Sequence, residues 1–284
     1  SGGSPLGGLD REITRQKQLL DEHHIHFQPG VNEELGAMAV WGSQQVNLYP
    51  MGRYDGVFGL WYGKGAGLDR CADVMRHANA AGSAPNGGAL AVVGDDHMAK
   101  SSSQPHNCEM MFSDLQIPLF FPATVREVIE YGLTAYALSR YSGCWSAMKI
   151  LPEVADASAT LDVDPAWPKL VVPPPAGDVH IRTPDPFLAQ EKRLVRVKLE
   201  AVRRFAVANG LDRTVIDGAR RRLGIVASGK AFLDVIQALR LLGLGDRAAG
   251  ELGLSVYKVA MPWPLEAGGI AVSTYELFAG LVEF

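Results

Sequence analysis

The chain has 284 residues, 47% of them hydrophobic, with a mean hydropathy of +0.03 and a formal net charge of −4. That length can bury one large core or two ordinary ones. The mild acidity offers no electrostatic reason to expect nucleic acid or an anionic membrane as partner, and no stretch is long and apolar enough to span a bilayer.

In chain order, Leu9 to His23 carries Leu9, Ile13, Leu19 and Leu20 at helical spacing and predicts an amphipathic helix. A short strand is expected at Ile25 to Phe27, before the turn at Pro29-Gly30. Asn32 then opens an apolar helical pattern through Leu35, Met38, Ala39 and Trp41, with Glu33 and Glu34 in its first turn. Carboxylates are favourable at a helix N-terminus, so both have an ordinary capping explanation. Residues Gly56–Trp61 and Gly88–Val93 are short apolar runs ending in glycine-rich turns, the pattern of buried parallel strands. A further strand at Ile117 to Phe121 precedes a helix from Ala123 to Tyr141. This rhythm predicts a doubly wound, mostly parallel α/β domain over residues 1–150.

Residues 151–185, with V-V-P-P-P-A-G-D near their end, read as an extended linker. Beyond it the sequence predicts a long charged helix, Pro186 to Asn209, and R-R-R-L at Arg220–Leu223 reads as a solvated helix end rather than a nucleic-acid patch. A strand (Gly224–Ala227), a Ser-Gly-Lys turn, a helix (Ala231–Leu242) and a strand (Leu254–Val259) complete a second, incomplete α/β unit within 186–284.

Open α/β sheets bind ligands beyond the carboxyl ends of their strands. After Trp61 comes Y-G-K-G-A-G-L-D-R, whose alternate glycines allow close backbone approach to a ligand. No G-K-[ST] is present, so it is not a Walker loop, and a tight turn with an exposed lysine explains it equally well. After Val93 comes G-D-D-H-M-A-K-S-S-S-Q-P-H. Asp95, Asp96, His97 and His106 are potential metal ligands, but hydroxyls and amides dominate, so a polar substrate or cofactor loop is expected and no metal site. The cysteines, Cys71, Cys108 and Cys144, are far apart, too few for a four-cysteine iron–sulfur cluster, and fit a reducing cytoplasmic setting.

Taken in order, N-E-E-L-G-A-M-A, Y-G-K-G-A-G-L-D-R with H-A-N, G-G-A-L-A-V-V-G-D-D-H with S-S-S-Q, and I-P-L-F-F-P-A-T resemble the pyrimidine-binding domain of thiamine diphosphate enzymes. The branch most resembled is the indolepyruvate type of the 2-oxoacid:ferredoxin oxidoreductase family. G-I-V-A-S-G-K-A-F-L-D-V and Y-K-V-A-M-P-W-P-L-E resemble that family's next domain, the transketolase C-terminal-like one.

The resemblance implies a role for Glu33 as the glutamate that meets N1′ of the aminopyrimidine ring, with Glu34 its ordinary neighbour. It implies cofactor contacts from Gly63, Lys64, Gly65, Gly67, Asp69 and Asn79, and a substrate side formed by Ser4, Pro5, Lys100, Ser101, Ser102 and Gln104, with Lys100 holding the oxoacid carboxylate. The implied reaction is oxidative decarboxylation of an aryl pyruvate to an acyl-CoA, with thiamine diphosphate as cofactor, coenzyme A as co-substrate and ferredoxin as electron acceptor. Neither a diphosphate-binding G-D-G…N motif nor cluster cysteines are seen, so Mg²⁺ and [4Fe-4S] clusters are expected in other domains. The chain is therefore expected to be part of a longer, homodimeric enzyme, inactive alone and partnered by the diphosphate-binding and gamma-type domains. Two alternatives are a non-catalytic assembly module that kept the fold, and an unrelated nucleotide-binding protein using the Gly63–Gly67 loop.

Overall fold

A computed structural model describes residues 5–265, apart from 51, 101, 165, 219 and 221. The N-terminal amphipathic stretch forms two helices, α1 (Gly7–Arg15) and α2 (Lys17–Glu22), broken at Gln16. No strand forms at Ile25 to Phe27: the segment is irregular, Ile25 is 54% exposed, and no strand lies beside it to supply a ladder. Helix α3 (Glu33–Ser43) begins where its sequence pattern begins, with the Asn32 side chain accepting from the Leu35 amide at 2.8 Å.

Strand β1 (Phe58–Lys64) runs straight into α4 (Gly65–Ala81), so the glycine-rich stretch is a strand-to-helix junction rather than an open turn. Strand β2 (Gly88–Gly94), helix α5 (Glu109–Asp114), strand β3 (Leu119–Phe120), helix α6 (Val125–Ser142) and strand β4 (Ser146–Ile150) follow. The four strands form one parallel sheet in the order β1-β2-β4-β3. Every residue of β2 and β4 is buried, as befits central strands covered on both faces.

After the short α7 (Pro152–Ala155) the chain is irregular to residue 186, yet it is pinned to the body. The Tyr141 hydroxyl donates to Pro174 O at 3.0 Å, Asn209 bonds both backbone groups of Val171, and buried Arg193 pairs with Asp185. The charged helix forms as α8 (Phe187–Arg193) and α9 (Leu199–Asn209), joined without a break by a π-helical turn at Leu194–Lys198.

Strands β5 (Arg213–Ile216) and β6 (Leu223–Ser228), helices α10 (Gly229–Leu241) and α11 (Asp246–Leu252), and strand β7 (Leu254–Val259) make the second unit. Its sheet is ordered β5-β7-β6, with β6 parallel and β5 antiparallel to β7. Arg220–Leu223 is therefore no helix end; it leads into β6, and the Arg222 amide donates to Gly253 O at 2.8 Å.

The second unit is docked on the β3 edge of the first. The amides of Leu119 and Phe121 donate to Trp263 O and Ala260 O at 2.8 and 2.9 Å. Behind this seam Lys258 of β7 forms a buried ion pair with Glu127 of α6, whose other carboxylate oxygen accepts from the Ala123 amide at 2.8 Å. Among the described residues no helix is long and apolar enough to cross a membrane.

The π-turn aims one side chain inward. Lys198 is fully buried, and its ammonium donates to Asn79 O (3.1 Å) and Ala80 O (3.0 Å) in the last turn of α4, with Gly143 O, just past α6, at 3.5 Å. A cation there satisfies carbonyls that helix ends leave open. Burial pulls the Lys198 pKa down to about 8, so in the folded state it binds its proton less tightly than in the unfolded chain. Below pH 8 both states are protonated and the penalty is constant. From pH 8 towards 10.5 the unfolded chain holds more proton, so this residue's contribution to stability rises with pH. Relative to Lys198→Met, the wild type should gain on the order of 3 kcal/mol over that interval in urea unfolding. A difference that stays flat with pH would contradict the lowered Lys198 pKa.

Candidate functional site

The parallel register sets Lys64 opposite Gly94, so the segments leaving β1 and β2 start side by side at the carboxyl end of the sheet. The first turn of α4 lies between two functional side chains. On one side is Glu33, half-buried at the start of α3, its backbone oxygen accepting from Trp61 Nε1 at 3.0 Å. A Cβ placed on Gly67 would come within 2.7 Å of Glu33 Cγ, and Arg70 approaches the Glu33 carboxylate at 3.7 Å. On the other side is His106: a Cβ on Gly65 would come within 2.0 Å of its Nδ1. Both glycines are required by close approach.

His106 belongs to a buried polar chain. Its Nδ1 lies 2.8 Å from Asp95 Oδ1, and its Nε2 faces Asp69 Oδ1 at 3.4 Å. Asp95 has no exposed side-chain surface; its second oxygen accepts from the Cys108 amide at 3.0 Å and meets Lys149 Nζ at 3.1 Å. Lys149, from β4, is equally inaccessible and also binds Glu109 at 2.5 Å. The Cys108 amide and the Lys149 ammonium both donate to Asp95, and a carboxylate held as an acceptor pairs with the His106 tautomer that carries its N–H on Nδ1.

Asp95, Cys108 and Glu109 offer ligand atoms within 4.8 Å of one another, the spacing of a metal site. The Lys149 ammonium already supplies the cation between the two carboxylates, and burial followed by the charge of Asp95 pushes the Cys108 thiol well up, away from the thiolate a metal would need. The three cysteines are buried free thiols. Burial, then Glu33 and Glu34, pushes the Cys71 thiol up to about 12.

The structure brings together Glu33, Gly63, Lys64, Gly65, Gly67 and Asp69 around the β1–α4 junction, and seats Pro5 over Gly94. Asn79 is not among them. It lies in the last turns of α4, fully buried, its amide spent on Leu115 O, Gln116 O and the Trp145 amide. Lys100 also departs from the expectation: its ammonium is turned towards Asp156 at 3.8 Å, beside Met98, Pro152 and Glu153. The backbone amides of Lys100 and Ser102 wrap the Asp96 carboxylate at 2.9 and 3.1 Å, and Gln104 is exposed. Ser4 and Ser101 lie outside the described residues. Sequence reasoning passed over Lys149; a lysine inside the apolar run S-A-M-K-I of a fully buried strand was the signal available.

Residues 213–277 match the family model described as the indolepyruvate oxidoreductase domain. Over 98% of its length the chain is 23% identical to the indolepyruvate oxidoreductase subunit IorA of Methanothermobacter marburgensis, of which it covers 41%. Its fold is similar, at a TM-score of 0.61 and 12% identity, to a 2-oxoglutarate:ferredoxin oxidoreductase from Magnetococcus marinus solved with 2-oxoglutarate, coenzyme A and succinyl-CoA bound. That match covers 98% of this chain and 51% of the other. The chain thus spans about half or less of the proteins it resembles, and the resemblance to 2-oxoacid:ferredoxin oxidoreductases carried by its motifs is borne out.

The two glycines make separable predictions. Gly65→Ala should cost about 1–3 kcal/mol in urea unfolding, because His106 is pinned by Asp95 and the backbone must yield. Gly67→Ala should cost less, since the Glu33 side chain can swing aside. Equal losses would contradict this difference in rigidity.

Proposed function

We propose that this chain supplies the aminopyrimidine side of the active site in a thiamine diphosphate-dependent, indolepyruvate-type 2-oxoacid:ferredoxin oxidoreductase. In this reading residues 1–150 are the pyrimidine-binding domain, 151–185 a linker, and 186–284 the start of the transketolase C-terminal-like domain. The observation that carries it is Glu33, held at the mouth of α3 against a glycine of α4, at the carboxyl end of a parallel sheet.

The residues present suit the cofactor's ring. Glu33 offers a carboxyl group at the start of α3, and the residues packed around it, Gly36, Ala37 and Gly67, are small. Trp61 fixes the backbone behind it, and Arg70 is close enough to orient the carboxylate while leaving it free to exchange partners. When bound, thiamine diphosphate supplies an electron sink for the carbon that loses CO₂. The chain's own contribution is to hold a proton donor and acceptor, Glu33, at the ring nitrogen, and to keep water from it with the α3–α4 wall. Gly63, Lys64, Gly65 and Asp69 lie at the same β1–α4 junction and are proposed as further cofactor contacts. Mg²⁺, the diphosphate half of the site and the [4Fe-4S] clusters belong to other parts of the enzyme, with coenzyme A and ferredoxin as reaction partners and a homodimer as the assembly.

In the complete enzyme, Glu33→Gln should lower oxoacid-dependent reduction of ferredoxin by about 10²–10⁴-fold, the range for a general acid–base, while the protein stays folded. Glu34→Gln, on an exposed side chain, should change little. Wild-type activity in the Glu33 variant would refute the assignment.

A further inference from the structure

A cavity of about 420 Å³ opens between α6, residues 162–170 and the turn joining α9 to β5, and it takes no wall from the β1–α4 junction. That volume is within the range of small-molecule sites, about 300–1,000 Å³. Tyr131, on α6, lines the cavity and is only 3% exposed. Its hydroxyl has no hydrogen-bond partner among the described residues. Burial, followed by the charge of Glu127, pushes the phenol well above its ordinary pKa against the pull of Arg213, so it stays a protonated donor. Arg213 and Glu130, two groups whose charges act on that phenol, line the same cavity, which sets the hydroxyl on its side. A buried donor without an acceptor is costly, and an acceptor placed in the cavity would relieve that cost.

The charges around the hydroxyl come in two sets. Arg126, Lys169 and Arg213 are positive; Glu130, Asp162 and Asp164 are negative. Among the described residues none of the six forms an ion pair. Arg126 instead lies over the Trp167 ring at 4.8 Å, and one Asp164 oxygen accepts from the Ala166 amide at 2.8 Å. Arg213 is the cation whose charge reaches the Tyr131 hydroxyl, so those two donors serve one position. Trp167, Leu170 and buried Leu211 add apolar surface. A ligand with a single charge would match one set and be repelled by the other, whereas a ligand carrying both signs matches both.

We propose that this cavity binds a small zwitterion, an α-amino acid with an apolar side chain. Its carboxylate meets Arg213 and the Tyr131 hydroxyl, its ammonium meets Asp162 and Asp164, and its side chain lies along Trp167 and Leu211. The site is independent of the oxoacid reading, because the two places share no residue. Its walls come from the first unit, the linking stretch and the second unit, so a bound ligand ties the three together and stabilises the folded protein.

Isothermal titration calorimetry on the complete protein tests this, with thermal unfolding alongside. The probes are L-leucine and L-phenylalanine, each competed by its deaminated acid and by its decarboxylated amine. The amino acid should bind about 10- to 100-fold more tightly than either single-charge analogue, the range of a hydrogen bond to a charged group. Arg213→Gln, on an exposed side chain, should reduce it to the level of the amine. Asp162→Asn combined with Asp164→Asn, both exposed, should reduce it to the level of the acid. Tyr131→Phe carries a signature that a structural role lacks. It should weaken the amino acid about ten-fold, while the unliganded protein unfolds at the wild-type temperature or above, because the hydroxyl has no partner to lose. The proposal is overturned if neither amino acid binds at millimolar concentration, if either analogue competes on equal terms, or if the charge variants leave the preference intact. A lowered unfolding temperature in Tyr131→Phe would overturn it as well, since the hydroxyl would then be holding the fold.

Discussion

The site depends on one buried cation. Lys149 sits in the middle of a strand with no solvent access, a placement that is costly unless its charge is matched. Asp95 and Glu109 match it, arriving from the end of β2 and the start of α5, and Phe121 lies 4.9 Å beneath the ammonium. Because three elements must converge to neutralise one charge, the loop between β2 and α5 has little freedom at its base. The loop's tip hangs on a second carboxylate, Asp96, wrapped by backbone amides. Breaking a buried pair of this kind costs about 3–5 kcal/mol, so the loop's position is set by stability before any ligand arrives.

The same economy of buried charge joins the two sheets. Glu127 closes the N-terminus of α6 and also receives Lys258 from β7, and Lys258 in turn lies 4.7 Å from the Phe232 ring of α10. Asp212 performs a similar task, its carboxylate accepting from the amides of Ala260 and Met261. Charges that look out of place in apolar strands thus hold helix ends and strand ends that would otherwise be unsatisfied. The chain uses them where the second unit meets the first.

Much of the architecture was readable because it rests on local signals. Strand β7 falls on the residues its alternation marks, and α3 starts where an Asn cap precedes an apolar pattern. Features that depend on distant partners were not readable. Strands β4 and β5 and helices α4, α5, α7 and α11 passed unnoticed: a lysine interrupts the apolar run of β4, and the glycines of α4 look like a turn until the neighbouring side chains are known. The expected strand at 25–27 had suitable residues and no ladder to join. At the site, residue types pointed to the segments leaving β1 and β2; Lys100 was weighed by its charge, while its ammonium faces Asp156, more than fifty positions away. Asn79 illustrates the converse, a polar residue beside a motif whose hydrogen bonds are all consumed by packing.

The π-turn at Leu194–Lys198 holds the long helix in a fixed phase. An α-helix advances about 100° per residue, so removing one residue to regularise the turn would rotate everything beyond it by that amount. Arg193, ahead of the turn, is committed to Asp185, and Lys198, at its end, to the carbonyls closing α4. Only the wider turn lets both keep their partners. This stretch can therefore vary in side chains over evolutionary time far more readily than in length, and a one-residue deletion there should be rarer among descendants of this chain than substitutions at the same positions.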